Sequence, residues 1–260
     1  MKIVVMVKQV PDTEEVRRLD LVSGILDRDA NTRVADEIDE RALEVALSYR
    51  DAHKGTEVVV LSMGPEATTQ TLRRCLSMGA DSAVHVVDNA LAGADVVRTA
   101  ATLAAAVKIT GFDLIIAGNE STDGRGGVVP AMVAEHLALP ILDSLSSAVI
   151  AERSVVGERG TEHGSMIVHA QLPAVISVTE GFPEPRFPSF KGIMTAKKKP
   201  IVTMSLSDLG IDPQNVVAAL DRSVVSSVQE RPARVAGRKV TDAGEAGLEL
   251  AEFLAASHLI

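Results

Sequence analysis

A glycine-rich stretch in the middle of the chain has the residue types that a phosphate site needs. It runs from Gly118 to Gly127, reads GNESTDGRGG, and follows the apolar run FDLIIA of residues 112–117. A helical pattern begins directly after it, at Val128. Glycines let backbone N–H groups approach an anion, and the start of a helix adds a favourable dipole. Further donors are offered by Ser121, Thr122 and Arg125. The stretch therefore predicts a phosphate-binding loop, with a plain solvent-exposed turn as the alternative.

The motifs of enzymes that cleave nucleotides are missing from the chain. The loop is neither GxxxxGK[ST] nor GxGxxG, and it has no lysine or magnesium-binding hydroxyl in the required place. The first strand runs into Lys8-Gln9-Val10-Pro11 instead of the SGGxDS signature of adenylating enzymes. There is no GxSxG elbow, and no pair among the six histidines has metal-ligand spacing. We therefore expect a protein that holds a nucleotide without catalytic residues or a metal of its own.

A second segment, Val178 to Ile201, is framed by prolines at positions 183, 185, 188 and 200. The prolines exclude a central strand and leave room for a helix only between Pro188 and Pro200. In that helix Pro188 falls in the first turn and three lysines fall in the last, where cations oppose the negative end of the helix dipole. The apolar side of the segment is made by Phe187, Phe190, Ile193 and Met194. This pattern indicates a segment displayed to a partner, with an ordinary capped surface helix as the alternative.

An alternation of strands and helices has to position both features. Strand patterns occupy residues 2–8, 57–62, 82–87, 112–117 and 174–179, and helix patterns occupy residues 36–55, 65–78, 94–108 and 128–137. Such alternation implies a parallel, twisted sheet with right-handed crossovers. Asp36 is predicted to cap the first helix. Residues 146–156 and 165–171 are expected to form an antiparallel pair. After about residue 205 no domain-sized unit is visible, and a last helix is predicted at 242–259.

The bulk composition excludes several classes of protein. The net charge of -9 argues against a nucleic-acid binder. A single cysteine, Cys75, can form no internal disulfide and fits a reducing compartment. We expect no signal peptide, since a strand pattern starts at Lys2, and no apolar run approaches the roughly 20 residues of a membrane span. The expected location is the cytoplasm.

The proline-framed segment resembles a stretch that marks the beta subunits of electron transfer flavoproteins, which ends in N-E-P-R-Y and then I-M-K-A-K-K-K-P-I. Here the corresponding residues are Glu184-Pro185-Arg186-Phe187 and the run from Ile193 to Ile201. Similar stretches occur elsewhere in the chain, at Val7–Asp12, Asp36–Ala46, Leu76–Asp81, Gly118–Pro130 and Leu172–Val178. The resemblance covers roughly residues 1–210 and weakens after that.

The resemblance implies a fold and a role. The fold is an α/β, Rossmann-like, doubly wound parallel sheet of the adenine nucleotide alpha hydrolase type with a C-terminal extension. Residues 1–205 would be the nucleotide-binding domain, and residues 206–260 an arm and helix packing on a larger alpha subunit. That alpha subunit holds most of an FAD, while the beta subunit buries a structural AMP. The heterodimer accepts electrons from dehydrogenases, such as those of fatty acid oxidation acting on acyl-CoA, and passes them to a quinone oxidoreductase.

The resemblance also assigns sites. The AMP contacts would be Met6, Asp36, Glu37, Ile38, Asp39, Met63, Gly118, Asn119, Glu120, Ser121, Thr122, Asp123, Gly124, Arg125, Gly126, Gly127 and Val128. The contacts to dehydrogenases would be Phe187, Phe190, Ile193, Met194, Lys197, Lys198 and Lys199.

Several positions depart from the family pattern, among them the N-E-P-R-Y motif, which reads Pro183-Glu184-Pro185-Arg186-Phe187 here. Phe190 stands where the family has a leucine anchor, Asp36 replaces the usual asparagine, and Thr13 replaces a tyrosine near the flavin. Some family members bind a second FAD in place of AMP and bifurcate electrons, and the sequence leaves that choice open. The alternative function is a stand-alone adenine-nucleotide sensor like the universal stress proteins, which leaves the proline-framed segment and the arm unexplained.

Overall fold

The computed structural model describes residues 1–212 and 225–260, and its centre is one large sheet with helices on both faces. The strands are β1 (Lys2–Met6), β2 (Gln9–Pro11), β3 (Arg33–Ala35), β4 (Glu57–Met63), β5 (Ser82–Val86), β6 (Leu114–Gly118), β7 (Ile141–Ile150), β8 (Ser154–Thr161), β9 (Gly164–Gln171), β10 (Ala174–Val178) and β11 (Ile201–Met204). The helices are α1 (Glu37–Ala52), α2 (Thr68–Met78), α3 (Val96–Thr110), α4 (Val129–Leu137), α5 (Phe190–Ala196) and α6 (Ala246–Ala256).

The strand order identifies a switch point in the sheet. The order is β11-β5-β4-β1-β6-β10-β7-β8-β9, while β2 and β3 form a separate pair. From β11 to β7 all neighbours are parallel, and β8 and β9 run antiparallel at one edge. The chain moves from β1 to β4 on one side and later to β6 on the other, so the winding reverses between β1 and β6. The predicted doubly wound parallel sheet is confirmed, and its carboxyl edge at β1 and β6 is where such sheets bind ligands.

Two hydrophobic cores attach the helices to the sheet. Helices α1, α2 and α5 pack on one face, and α3 and α4 pack on the other. Parallel strands covered on both faces are apolar along their length, as in β6, which is buried at every position. Ala42 and Ala46 of α1 are fully buried and let that helix lie close to the strands. Small side chains therefore fill an interior that contains few aromatic residues.

The antiparallel edge differs from the prediction. Residues 146–156 do not form one strand, because β7 ends at Ile150 and β8 begins at Ser154. The turn between them is closed by Ala151 N–H, which donates to the Ser154 carbonyl at 2.9 Å. The turn has the sequence Ala-Glu-Arg, without glycine or proline, so the strand pattern of the sequence continues through it. Of the predicted antiparallel pair, only residues 154–156 lie opposite the second segment, because β9 pairs with β8 and not with β7.

Helix α5 is shorter than predicted. Its N-cap is Ser189, whose hydroxyl accepts from Gly192 N–H, so Pro188 precedes the helix and does not form its first turn. The helix ends at Ala196, and Lys197 is its C-cap. The three lysines therefore follow the helix, because the chain must turn there to enter β11.

The C-terminal part has a core segment and an exposed arm. Leu206 and Leu209 are buried in the core on the α3 and α4 side. Residues 213–224 of the predicted arm lie outside the described residues. Residues 225–245 contain no helix or strand, and α6 has no buried residue, although Leu248, Leu250 and Phe253 lie on it. Among the helices described, none is long and apolar enough to cross a membrane.

Candidate functional site

The glycine-rich loop lies at the switch point. Strand β6 ends at Gly118, and Asn119 N–H donates to the Val178 carbonyl at 2.8 Å, which places the start of the loop beside β10. The loop then leads into α4. The carboxyl end of β1, at Met6, and the start of α1 are the elements that face it. The predicted nucleotide-site residues are therefore brought to one edge of the sheet.

Asp36 connects the loop to the start of α1 by hydrogen bonds. It is fully buried and is the N-cap of the helix, as predicted, since Oδ1 accepts from Ile38 N–H at 3.0 Å. Its other oxygen, Oδ2, accepts from Thr122 N–H at 2.6 Å and from Thr122 Oγ1 at 2.8 Å. An aspartate at this position therefore makes bonds to the helix and to the loop at once.

Asp39 joins three segments of the chain. Its Oδ2 accepts from Lys8 N–H at 2.8 Å, just after β1, and its Oδ1 accepts from Gly118 N–H at 2.9 Å, at the end of β6. Both Asp39 and Ile38 are buried, whereas Glu37 is exposed. Asp36 and Asp39 therefore shape the site through the main chain.

The protonation of Asp39 gives a prediction about pH. Burial and the charge of Asp36 raise its pKa to about 8 from an ordinary 3.8, against the opposing N–H groups of Lys8 and Gly118. Between these two values the folded chain keeps a proton that the unfolded chain releases. Its stabilising contribution is full below about pH 4 and is lost as the pH rises through about 8. The free energy of unfolding should fall by up to about 1.4 kcal/mol per pH unit in that window.

Urea unfolding of the full chain and of Asp39→Asn, followed from pH 5 to pH 8, measures this slope. We expect the free energy of unfolding of the variant to change less with pH than that of the parent chain. Equal slopes in the two proteins would show that Asp39 is ionised throughout.

A set of cations that the sequence analysis missed holds the outer part of the loop. The side chain of Asp123 is buried and forms salt bridges with Lys8 Nζ and Arg28 Nη2, each at 2.7 Å. Burial acts to raise the pKa of Asp123, but the charge of Lys8 and the bonds from Lys8, Arg28 and Ser121 outweigh it and keep that pKa well below its usual range. Arg17 also donates to the Thr122 carbonyl. The position of Lys8 directly after β1 was the one available sequence signal.

The end of the loop offers the groups that suit a phosphate. Helix α4 starts after Val128 without a side-chain cap, so no side chain caps the N–H groups of Val129 and Ala131 in its first turn, while Pro130 has no N–H. Gly126 and Gly127 are exposed, and Gly127 has a φ of 63°, a conformation that glycine adopts without strain. The buried Oδ1 of Asn119 has no hydrogen-bond partner among the described residues. Glu120, by contrast, is paired with Arg125 at 2.8 Å.

The apolar side of the site lies at the ends of β1 and β4. Met6 is buried and Met63 is half-buried. Nearby on β4 and α2, the hydroxyls of Ser62 and Thr68 are buried without a partner among the described residues. An adenine ring needs apolar faces and a few polar edge contacts. Met6 and Met63 lie at the same edge of the sheet as the start of α4.

The predicted docking residues form a separate surface on α5 and its flanks. Phe187 is 86% exposed and Phe190 is 82% exposed, and Ile193, Met194, Lys197 and Lys198 are also exposed. Lys199 differs, because its Nζ donates to the carbonyls of Leu76, Gly79 and Ala80 at 3.0, 3.1 and 2.6 Å. Burial lowers its pKa. Lys199 therefore braces the end of α2 instead of facing a partner.

Comparisons with known proteins agree with the fold. Residues 23–209 match the family model of the electron transfer flavoprotein domain. The chain is 49% identical to the electron transfer flavoprotein subunit beta of Mycobacterium tuberculosis and 47% identical to that of Mycobacterium leprae, in each case over 99% of both chains. It is 35% identical to the caffeyl-CoA reductase-Etf complex subunit CarD of Acetobacterium woodii, over 93% of this chain and 92% of the relative.

Proposed function

This chain belongs to the electron transfer flavoprotein family as a beta subunit, and we propose that it works as half of a heterodimeric electron carrier. FAD, held mostly by the alpha subunit, would accept electrons from dehydrogenases, such as acyl-CoA dehydrogenases, and release them to a quinone oxidoreductase. The carrying observation is the exposed segment around α5, with its aromatic and basic side chains, because a carrier has to bind several enzymes briefly. The beta subunit contributes binding surfaces and no reacting side chain.

The glycine-rich loop would bind AMP as a structural ligand. The N–H groups at the start of α4 and at Gly126 and Gly127 would hold the phosphate. Met6 and Met63 would contact the adenine, and Asn119 would offer a polar contact. Asp36, Asp39 and Lys8 would act indirectly by keeping the loop in place.

The exposed arm would pack on the alpha subunit. Helix α6 presents Leu248, Leu250 and Phe253 at 61%, 58% and 61% exposure, which is costly in water and typical of an interface. The buried single thiol, Cys75, fits the cytoplasm as the compartment. The stand-alone nucleotide sensor is set aside, because the family membership makes this chain a subunit.

The nucleotides released by the purified heterodimer test the proposal. The chain is co-expressed with the alpha subunit of its own organism, the complex is denatured, and the released nucleotides are identified and counted. One FAD and one AMP per heterodimer support the simple carrier. Two FAD per heterodimer and no AMP would mean that a second flavin occupies the proposed AMP site, and would indicate electron bifurcation. A colourless chain that forms no complex would contradict the proposal.

Phe190→Ala should slow electron uptake from a dehydrogenase. An exposed aromatic that anchors an interface contributes about 2 kcal/mol or more, so we expect kcat/KM for the carrier to fall by roughly 30-fold. The flavin spectrum and the AMP content should not change, since Phe190 lies outside the nucleotide site. Steady-state assays with the dehydrogenase measure this effect.

Ile167→Ala is the control for Phe190→Ala. Ile167 is a 68% exposed apolar residue on β9, outside the docking surface, and its truncation should leave electron uptake unchanged. Equal rates in Phe190→Ala and the parent protein would remove Phe190 from the docking surface.

A further inference from the structure

The residues that lead into α5 are attached to the domain in an unusual way. Residues 183–189 belong to no helix or strand. Among the described residues, the stretch from Pro183 to Pro188 makes its hydrogen bonds to the rest of the domain through Arg186 alone. Phe187, the next residue, is slightly more exposed than Phe190, the other aromatic docking residue. One residue, through its side chain and its backbone N–H, thus fixes where this part of the docking surface lies.

Arg186 is clamped on two turns of α1. Its backbone N–H and Nε donate to Glu44 Oε2 at 3.0 and 2.8 Å, and Nη2 donates to Glu44 Oε1 at 2.8 Å. Its Nη1 donates to Asp51 Oδ2 at 2.7 Å. Glu44 and Asp51 are seven residues apart, so they share one face of the helix. The planar guanidinium is the only side chain with donors arranged to serve both carboxylates.

The two carboxylates that bind Arg186, those of Glu44 and Asp51, have further contacts or charge that stabilise the interaction. Ser48 Oγ donates to Glu44 Oε1 at 2.8 Å, and the side chain of Glu44 is only 16% exposed. Burial acts to raise the pKa of Glu44, but the bonds from Arg186 and Ser48 outweigh it and lower that pKa. The pKa of Asp51 is lowered chiefly by the hydrogen bond from Arg186. Both carboxylates are therefore charged at neutral pH.

The other end of the docking surface has its own anchors. Arg73 on α2 donates to the carbonyls of Ala196 and Lys199, at 2.7 Å each. Lys199 binds the end of α2 in return. The surface from Phe187 to Lys198 is thus held to α2 after the helix and to α1 before it. Only the attachment to α1 depends on one residue, Arg186.

We propose that Arg186 is a positioning residue for docking, which holds Phe187 in the arrangement, relative to Phe190 on α5, that a dehydrogenase recognises. The inference rests on the proposed function of a carrier. Three prolines, at 183, 185 and 188, already restrict the backbone around Arg186. The clamp removes the remaining freedom before binding, so less ordering is required when the partner arrives.

Arg186→Gln in the reconstituted heterodimer tests the inference. The uncharged amide cannot bridge Glu44 and Asp51, so only the backbone N–H bond to Glu44 remains and the residues from Pro183 to Pro188, with Phe187 among them, become mobile. We expect KM of the dehydrogenase for the carrier to rise about tenfold, with kcat unchanged, because preorganisation affects binding and not the electron step. Arg186→Lys, which reaches one carboxylate at a time, should give a smaller rise in KM.

Arg50→Gln is the matched control. Arg50 also lies on α1 and also pairs with Asp51, at 3.4 Å, but it donates to no atom of residues 182–198. The Arg50→Gln variant should be less stable than the parent heterodimer, with an unchanged KM. The inference is overturned if Arg186→Gln leaves KM unchanged, if Arg50→Gln raises KM equally, or if activity falls only in proportion to lost flavin or lost heterodimer. Failure of the parent heterodimer to accept electrons would instead overturn the proposed function.

Discussion

Gly118→Ala is expected to abolish the nucleotide site. A Cβ at this position would lie 2.6 Å from Asp39 Oδ1 and 3.0 Å from Ile38 Cγ2. Asp39 cannot withdraw, because its two oxygens are bound by the N–H groups of Lys8 and Gly118. Overpacking of this kind costs about 1–3 kcal/mol, and the loop that begins at Gly118 would be displaced with it. We expect at least about a tenfold loss of AMP from the purified heterodimer, measured by nucleotide release after denaturation, together with a lower unfolding midpoint.

Gly160→Ala provides the comparison for this result. Gly160 also lies in a strand, β8, and a Cβ there meets no atom within 4 Å. This variant should keep its AMP and its stability. Full AMP content in Gly118→Ala would mean that Asp39 and Ile38 can move aside, and that the loop is not fixed by this contact.

Gly192→Ala is expected to detach α5 from α2. Alanine usually stabilises a helix by about 1 kcal/mol relative to glycine. Here the added Cβ would lie 2.2 Å from the backbone carbonyl oxygen of Ser77, an atom held by its own helix. The clash should reverse the sign of the change, so that the variant is less stable by about 1–3 kcal/mol. Electron uptake from a dehydrogenase should fall as well, because Phe190, Ile193 and Met194 move with the helix.

Gly247→Ala separates the clash from the helix propensity. Gly247 lies in α6, and a Cβ there meets nothing within 4 Å. Chemical denaturation of both variants should show a loss of stability for Gly192→Ala and no loss for Gly247→Ala. A stabilised Gly192→Ala with normal electron uptake would contradict the close packing of α5 on α2.

Local patterns explain why much of the fold could be predicted. The parallel strands are continuous apolar runs, and Asp36 precedes a helix with acidic residues in its first turn, so each signal lies within a few residues. The loop at Gly118 was recognised for the same reason, because strand, glycines and helix follow one another directly. The turn at 151–153 was missed because its residues carry no turn signal.

Long-range ion pairs could not be predicted in this way. Arg28 meets Asp123 across 95 positions and Arg186 meets Glu44 across 142 positions, and nothing in the local sequence links the members of either pair. The three consecutive lysines are a similar case. Their sequence is uniform, but Lys199 enters the space at the end of α2 while Lys197 and Lys198 stay in solvent. Only the path of the chain into β11 distinguishes them.

The three-way junction at Asp39 also has a consequence for the order of folding. Its two backbone partners, Lys8 and Gly118, lie 31 and 79 positions away along the chain, and closing such distances is slow compared with forming a helix. A nascent polypeptide that has not yet reached β6 carries this carboxylate without its second donor. The proposed AMP site is therefore complete only after β6 pairs with β1, and we expect AMP to bind late in biosynthesis if the proposal holds.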